Sequence, residues 1–192
     1  MARKKQFDED EILEKATHLF WKKGFHATSI QDLVNELKIN RASLYDTFGG
    51  KEELFQKALQ EYRNKNKAII RDFFSKQKSV KEGIKMLFLQ AIHTKTEEAQ
   101  KGCFVVNCTT ELVPNNQNIL EVAIQNREEF EAFFLGLLRK GVETGEISDS
   151  KNLEAIASLF YIFYSGIKVI GKTNPNISNL EKSVEEIVSL LD

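Results

Sequence analysis

The chain has 192 residues, of which 42% are apolar and 29% charged, and its formal net charge is −1. That balance excludes a disordered chain and a generic polyanion binder, and the length suffices for a small domain joined to a larger one. Two prolines, ten glycines and little β-branched alternation point to helix throughout, an all-α fold.

The charge is unevenly spread. Residues 1–67 carry 13 Lys and Arg against 11 Asp and Glu, and the remainder carries 14 against 17. So small a surplus means that contact with nucleic acid must come from local placement rather than bulk attraction. Arg3, Lys4 and Lys5 make a short basic arm, which reads equally well as a solvated terminus. Two cysteines do not make a disulfide framework. The longest uncharged run, residues 155–167, is shorter than the roughly 18 apolar residues a membrane span needs. No secretory leader pattern opens the chain, so the expected location is cytoplasmic, with no membrane partner.

Residues 8–23 read as a helix with Ile12, Leu13, Ala16, Leu19 and Phe20 on one stripe, ended by Gly24. Thr28 with Gln31 reads as a capping box opening a second helix, whose buried face is Ile30, Leu33, Val34 and Leu37. After a break at Lys38-Ile39, Asn40 caps a third helix from Arg41 to about Thr47. Gly49-Gly50 interrupts, and Lys51 opens a long helix to about residue 75. Further on, Ser79 with Glu82 reads as a capping box for a helix to about His93. Residues 97–101 form a polar connector, and residues 102–112 are helical by context although CFVVNCTT has strand propensity. Long helices are expected over residues 117–142, 151–171 and 178–191, with a turn at Pro114.

Three short helices with a three-residue break describe a helix-turn-helix unit. In the third, Leu44 and Phe48 define the inward side at 100° per residue, so Ala42 and Asp46 point outward and Ser43 and Tyr45 stand on the flanks. In a DNA major groove, outward positions meet base edges and flanking hydroxyls meet phosphate. Arg41 has reach for either, and Lys51 sits in the first turn of the next helix, where free N–H groups attract phosphate.

The segment GFHATSIQDLVNELKINRASLYDTFGGKEELF resembles the N-terminal domain of the TetR family of bacterial transcriptional regulators. The resemblance rests on Gly24, Thr28-Ser29, Asp32-Leu33, Ser43-Leu44-Tyr45, Phe48 and Lys51-Glu52-Glu53-Leu54. It implies that Thr28, Tyr45 and Lys51 contact phosphate, with Arg41, Ala42 and Ser43 facing DNA. Three positions depart from the family pattern. Lys38 stands where the turn often has glycine, Thr47 replaces a longer His or Tyr, and Asp46 carries a carboxylate toward the groove. That carboxylate can accept from cytosine N4 or repel unsuitable sites. Residues 1–50 are thus expected to form the DNA-binding domain, and residues 51–192 a larger helical domain for effector binding and dimerisation. The expected activity is that of a repressor that binds a palindromic double-stranded operator as a homodimer and is released by a small lipophilic or electrophilic effector.

Two half-sites about 34 Å apart require two units held at fixed spacing. Leu180, Val184, Ile187, Val188 and Leu191 form a stripe suited to a dimer interface, which equally suits closing the monomer core. Fourteen phenylalanines, most of them beyond residue 70, suit an aromatic-walled effector pocket. Phe88, His93, Phe104, Phe130, Phe134, Phe160 and Tyr164 are its candidate lining, against plain core packing. KGCFVVNC resembles a segment of a TetR subgroup that includes electrophile- and oxidant-responsive repressors. Cys103 at a helix N-terminus is the candidate sensor, with an inert buried cysteine as the alternative. An enzyme is the rival class, but His18, His26 and His93 sit in no metal-ligand spacing, and no phosphate loop or nucleophile elbow is present, so neither metal nor cofactor is expected. A helical ligand carrier or adaptor without operator binding is the remaining alternative.

Overall fold

A computed structural model describes residues 7–93, 100–173 and 175–192. The basic arm at Arg3, Lys4 and Lys5, and most of the connector expected over residues 97–101, lie outside the described residues. The described residues hold α-helices and two 3-10 turns, Val113–Asn115 and Gly171–Thr173, and no strand.

The first helix, α1 (Glu9–Lys23), is set by its ends. Asp8 caps it by accepting the N–H of Asp10 at 2.9 Å, three acids fill its first turn, and Lys22 and Lys23 fill its last. Gly24 follows at φ +83°, a conformation that L side chains rarely adopt, and turns the chain toward α2 (Ile30–Leu37). The cap of α2 differs from the expected Thr28–Gln31 pair. Ser29 and Asp32 exchange the capping-box bonds, while the Thr28 hydroxyl donates to the Gly24 carbonyl at 2.6 Å. A capping hydroxyl followed three residues later by a side-chain acceptor fits both registers, Thr28 with Gln31 and Ser29 with Asp32. The short bond back to Gly24 is what draws Thr28 out of the capping role.

Lys38 ends α2 in the left-handed conformation, φ 56° and ψ 31°, the one described non-glycine residue with positive φ. Asn40 then caps α3 (Arg41–Phe48) by accepting the Ser43 N–H at 2.8 Å. Eight residues are too few for a stable isolated helix. Leu44 and Phe48, 0% and 4% exposed, anchor α3 against the first two helices. The helix α4 (Lys51–Ser75), about 37 Å long by its residue count, runs from the tip of this unit into the larger body.

The remaining elements are α5 (Val80–His93), α6 (Phe104–Leu112), α7 (Gln117–Glu143), α8 (Leu153–Ile170) and α9 (Ile177–Ser189). Ser79 does accept the Glu82 N–H, at 3.0 Å, but the expected local box is completed from afar. The Glu146 carboxylate takes the Ser79 hydroxyl and the N–H groups of Val80 and Lys81 at 2.8 and 2.9 Å. Helices α7 and α8 form an antiparallel pair, with Glu131 bonded to Ser158 and Arg139 to Glu154.

Two apolar cores result. The first holds Ile12, Phe20, Leu33, Leu37 and Leu44 together with Leu54, Phe55 and Leu59 of α4, and it also takes in Phe104, Cys108 and Leu112 of α6. Packing therefore does not break at residue 50. The first half of α4 is needed to cover Phe20, whose ring meets Phe55 edge-on at 5.1 Å. The second core holds Ile84, Phe88, Phe134, Leu138, Phe160 and Val184.

The stripe expected at a dimer interface lies in that second core. Val184, Val188 and Leu191 are 0%, 7% and 1% exposed within the monomer, and Leu180 and Ile187 are half-buried. The antiparallel seam between α5 and α9 explains this. Lys81 pairs with Asp192, Lys85 with Glu185 at 2.9 Å and His93 with Glu181 at 3.0 Å, so the two apolar faces are flanked by polar pairs along their edges. The largest group of exposed apolar side chains lies on α8, where Leu159, Ile162, Val169 and Ile170 are 43–61% exposed.

Candidate nucleic-acid interface and effector cavities

The free face of α3 is built by subtraction. Once Leu44 and Phe48 are buried, Arg41, Ala42, Tyr45 and Asp46 stand exposed and Ser43 and Thr47 half-exposed. The Arg41 guanidinium lies over the Tyr45 ring, 5.8 Å from its centroid, which places a cation beside a phenol on the same surface. Lys51 follows in the first turn of α4, its ammonium 4.2 Å from the centre of the Phe25 ring.

Thr28 does not join them. It is 0% exposed with its hydroxyl committed to Gly24, so the assignment of Thr28 to phosphate contact is corrected. The exposed hydroxyl at the start of α2 belongs to Ser29, one residue on, and is engaged with Asp32 at 2.8 Å.

Most of the phenylalanines named as pocket lining fill the second core instead. Phe88, Phe134 and Phe160 are fully buried with ring centroids 5.5–6.3 Å apart, a packed aromatic cluster. Phe104 belongs to the first core, edge-on to Phe55 at 5.8 Å. His93 lies at the surface in its pair with Glu181, away from both cavities described next.

Open space lies beside that cluster. A cavity of about 380 Å³ is bounded by Trp21 of α1, Tyr62, Ile70 and Phe73 of α4, Leu87 of α5, and Tyr164 and Lys168 of α8. A second, of about 20 Å³, is lined by Cys103, Asn126, Phe130, Tyr164 and Lys168. Cys103, Phe130 and Tyr164 of the sequence candidates therefore line one cavity, together with Asn126 and Lys168, which sequence reading did not name, as it did not name Trp21 and Tyr62. A signal existed for Lys168, the only cation inside the apolar run LEAIASLFYIFYSGIKVI. Cys103 is the N-cap of α6 and half-buried. Cys108 is buried, and burial followed by the neighbouring Glu111 charge pushes its thiol well above the ordinary range. Such a thiol is unreactive.

One further residue escaped sequence reading. Glu111, in the last turn of α6, accepts the backbone N–H of Phe25 at 3.2 Å and of His26 at 2.8 Å. A carboxylate of the larger body thereby holds the loop between α1 and α2, and Gly24 leaves room for it, since a Cβ there would sit 2.8 Å from its Oε2.

A small capped helix held by two side chains, with its outer face free and its base fused to a helical body, is the working end of a helix-turn-helix regulator. The chain belongs to the TetR family. Residues 12–58 match the family described as bacterial regulatory proteins, tetR family, and residues 82–183 match the tetracyclin repressor-like C-terminal domain. It is 30% identical, over the full length of both chains, to the uncharacterized HTH-type transcriptional regulator YezE of Bacillus subtilis. It is 28% identical to the HTH-type transcriptional repressor ComR of Escherichia coli, covering 93% of this chain and 86% of ComR. Among solved structures, a cysteine mutant of the TetR family regulator CifR in complex with 26-base-pair operator DNA superposes with a TM-score of 0.88 at 26% identity, covering both chains fully. A TetR family regulator from Cytophaga hutchinsonii shares the fold with a TM-score of 0.85 at 18% identity, covering 98% of each chain. The protein is a DNA-binding transcriptional regulator and not an enzyme.

Proposed function

We propose that the protein is a repressor that binds a palindromic operator as a homodimer in the cytoplasm and lets go when a small effector enters the cavity beside Tyr164. The observation that carries the operator reading is the rigid presentation of α3, with Arg41, Ala42, Tyr45 and Asp46 exposed over a fully buried Leu44. Ser43, Tyr45, Thr47 and Lys51 serve phosphates, Ala42 and Asp46 face base edges, and Arg41 reaches either. Residues 1–50 supply the reading head, and the rest supplies effector binding and pairing. That CifR was crystallised on operator DNA supports the same mode.

Pairing runs through α8 with α7 beside it. By length and composition α8 and the turn after it would be apolar enough to cross a membrane, yet only 22% of that stretch is buried in the monomer. A core helix passes the same test, and the unburied remainder is what a second copy covers. Leu159, Ile162, Gly166 and Val169 follow one stripe, and Gly166 has nothing within 4 Å of a would-be Cβ, which leaves room for close approach of a partner helix. Effector release uses α6 as the lever. Cys103 begins this nine-residue helix at the cavity, and Glu111 near its far end holds the α1–α2 loop. An electrophile that modifies Cys103 pushes on the same lever.

The test is binding to the DNA flanking the protein's own gene over a salt series, beside light scattering. A regulator binds an inverted repeat as a dimer with steep salt dependence, and Ile162→Glu yields monomers that bind it poorly. A chain that stays monomeric and ignores duplex at low salt would instead be a ligand carrier.

A further inference from the structure

The two cavities share Tyr62, Asn66, Tyr164 and Lys168 in their walls, and the polar groups between them are short of partners. The Lys168 ammonium has no carboxylate within ion-pair distance among the described residues, and it lies 5.3 Å from the centre of the Tyr164 ring. Asn126 is 5% exposed and lines the smaller cavity with no hydrogen-bond partner among the described residues. The Tyr164 hydroxyl has none either. Buried polar groups are normally satisfied. The buried Asn126 amide, with the half-buried Lys168 and Tyr164 beside it around one space of about 20 Å³, describes a seat for a head that accepts hydrogen bonds and carries negative charge. Next to it, the larger cavity offers Ile70, Phe73, Leu87 and Trp21. Of its other charged members, Glu14 and Glu61 both pair with Lys65 on the exposed side, at 3.3 and 3.4 Å. Lys168 is then the charged member left facing the apolar wall.

We propose that the effector is an apolar monocarboxylate, with its carboxylate between Lys168, Asn126 and the Tyr164 hydroxyl and its hydrocarbon body in the larger cavity. The inference deepens the effector reading above and rests on it. Burial, opposed by the nearby Cys103, holds the Lys168 amine below its ordinary range, and an arriving carboxylate reverses that cost. The body of such a ligand lies against Trp21, and thus against α1 of the reading head, so occupancy and operator affinity are tied through one wall.

Trp21 is the only tryptophan, which makes its emission a direct reporter of the cavity. Three probes of one shape suffice for the test on full-length protein: 4-phenylbutyrate, 4-phenylbutyramide and 4-phenyl-1-butanol. The carboxylate is expected to bind at least about tenfold tighter than either neutral probe, the scale of one charge-assisted contact. In Lys168→Met that preference should shrink to within about twofold while the alcohol keeps its affinity, which also shows that the variant is folded. Equal binding of the three probes to the unmodified protein, a preference that survives Lys168→Met, or no saturable binding of any would each overturn the proposal. The amide comparison needs no variant and stands even where Lys168→Met does not fold. Operator binding measured without probes is a separate readout, so absence of a carboxylate preference in the unmodified protein, with its operator binding intact, rejects this inference alone.

Discussion

Glu111→Ala is the sharpest test of how the body holds the reading head. The substitution removes the acceptor for two backbone N–H groups, Phe25 in a half-buried setting and His26 in an exposed one. A hydrogen bond to a charged group contributes about 1.5–3 kcal/mol, and leaving a buried donor unpaired costs about 1–3 kcal/mol. Water can replace the acceptor at His26, so that contact adds little, and the total comes to about 2 kcal/mol. For a chain of this size that lowers the melting temperature by about 4–8 °C. Glu111→Gln keeps one acceptor oxygen and should lose about half as much. Urea unfolding of both variants beside the unmodified protein measures the loss. Operator titrations with and without effector then show whether the loop still follows α6. Stability unchanged within about 0.5 kcal/mol in Glu111→Ala would refute the latch.

Four further outcomes are expected. Tyr45→Ala weakens binding to specific and nonspecific DNA alike, because the ring edge serves phosphate; altered base preference at constant overall affinity would contradict that role. Lys38→Gly leaves stability within about 1 kcal/mol of the unmodified protein or slightly above, since relief of the left-handed conformation offsets the added chain entropy, whereas Lys38→Val lowers it, as urea midpoints will show. Gly102→Ala destabilises by about 1–3 kcal/mol in the same assay, because φ is +73° and the added Cβ would meet the Lys168 carbonyl oxygen at 2.7 Å. Acid lowers stability through Glu146. Burial pushes its carboxyl up, but the Ser79 hydroxyl and the Lys81 and Val80 N–H groups outweigh it and hold it below the ordinary range. A depressed folded-state value means that the contribution is full above the unfolded value near 4.3 and is lost as pH falls through the folded one. Glu146→Gln should therefore flatten the acid limb of a stability–pH curve.

Much of the reading head was legible because its signals are local. Asn40 before Arg41, Gly24 after Lys23, and the pair Leu44 and Phe48 specify caps and faces within a few residues. The capping register at Thr28-Ser29 was misread because one spacing rule fits two neighbours, and the bond from Thr28 to Gly24 decides between them. Glu146 and Glu111 could not be read at all. Each caps backbone far away in sequence, and no periodicity announces such a contact. The stripe at Val184 and Val188 was visible as apolar, but a helical wheel cannot say whether its partner is α5 of the same chain or a second copy. The aromatic residues posed the same ambiguity, resolved when Phe88, Phe134 and Phe160 filled one another's space and left the opening at Tyr164.

The mixed membership of the first core has a bearing on engineering. Because Phe104, Cys108 and Leu112 sit among the side chains of the first four helices, the operator reader is not a cassette. A hybrid joined after residue 50 would strip Phe20 of Phe55 and leave an oily scar on both fragments. Swaps meant to redirect this regulator to a new promoter should change side chains on the outer face of α3, or carry α6 along with the head.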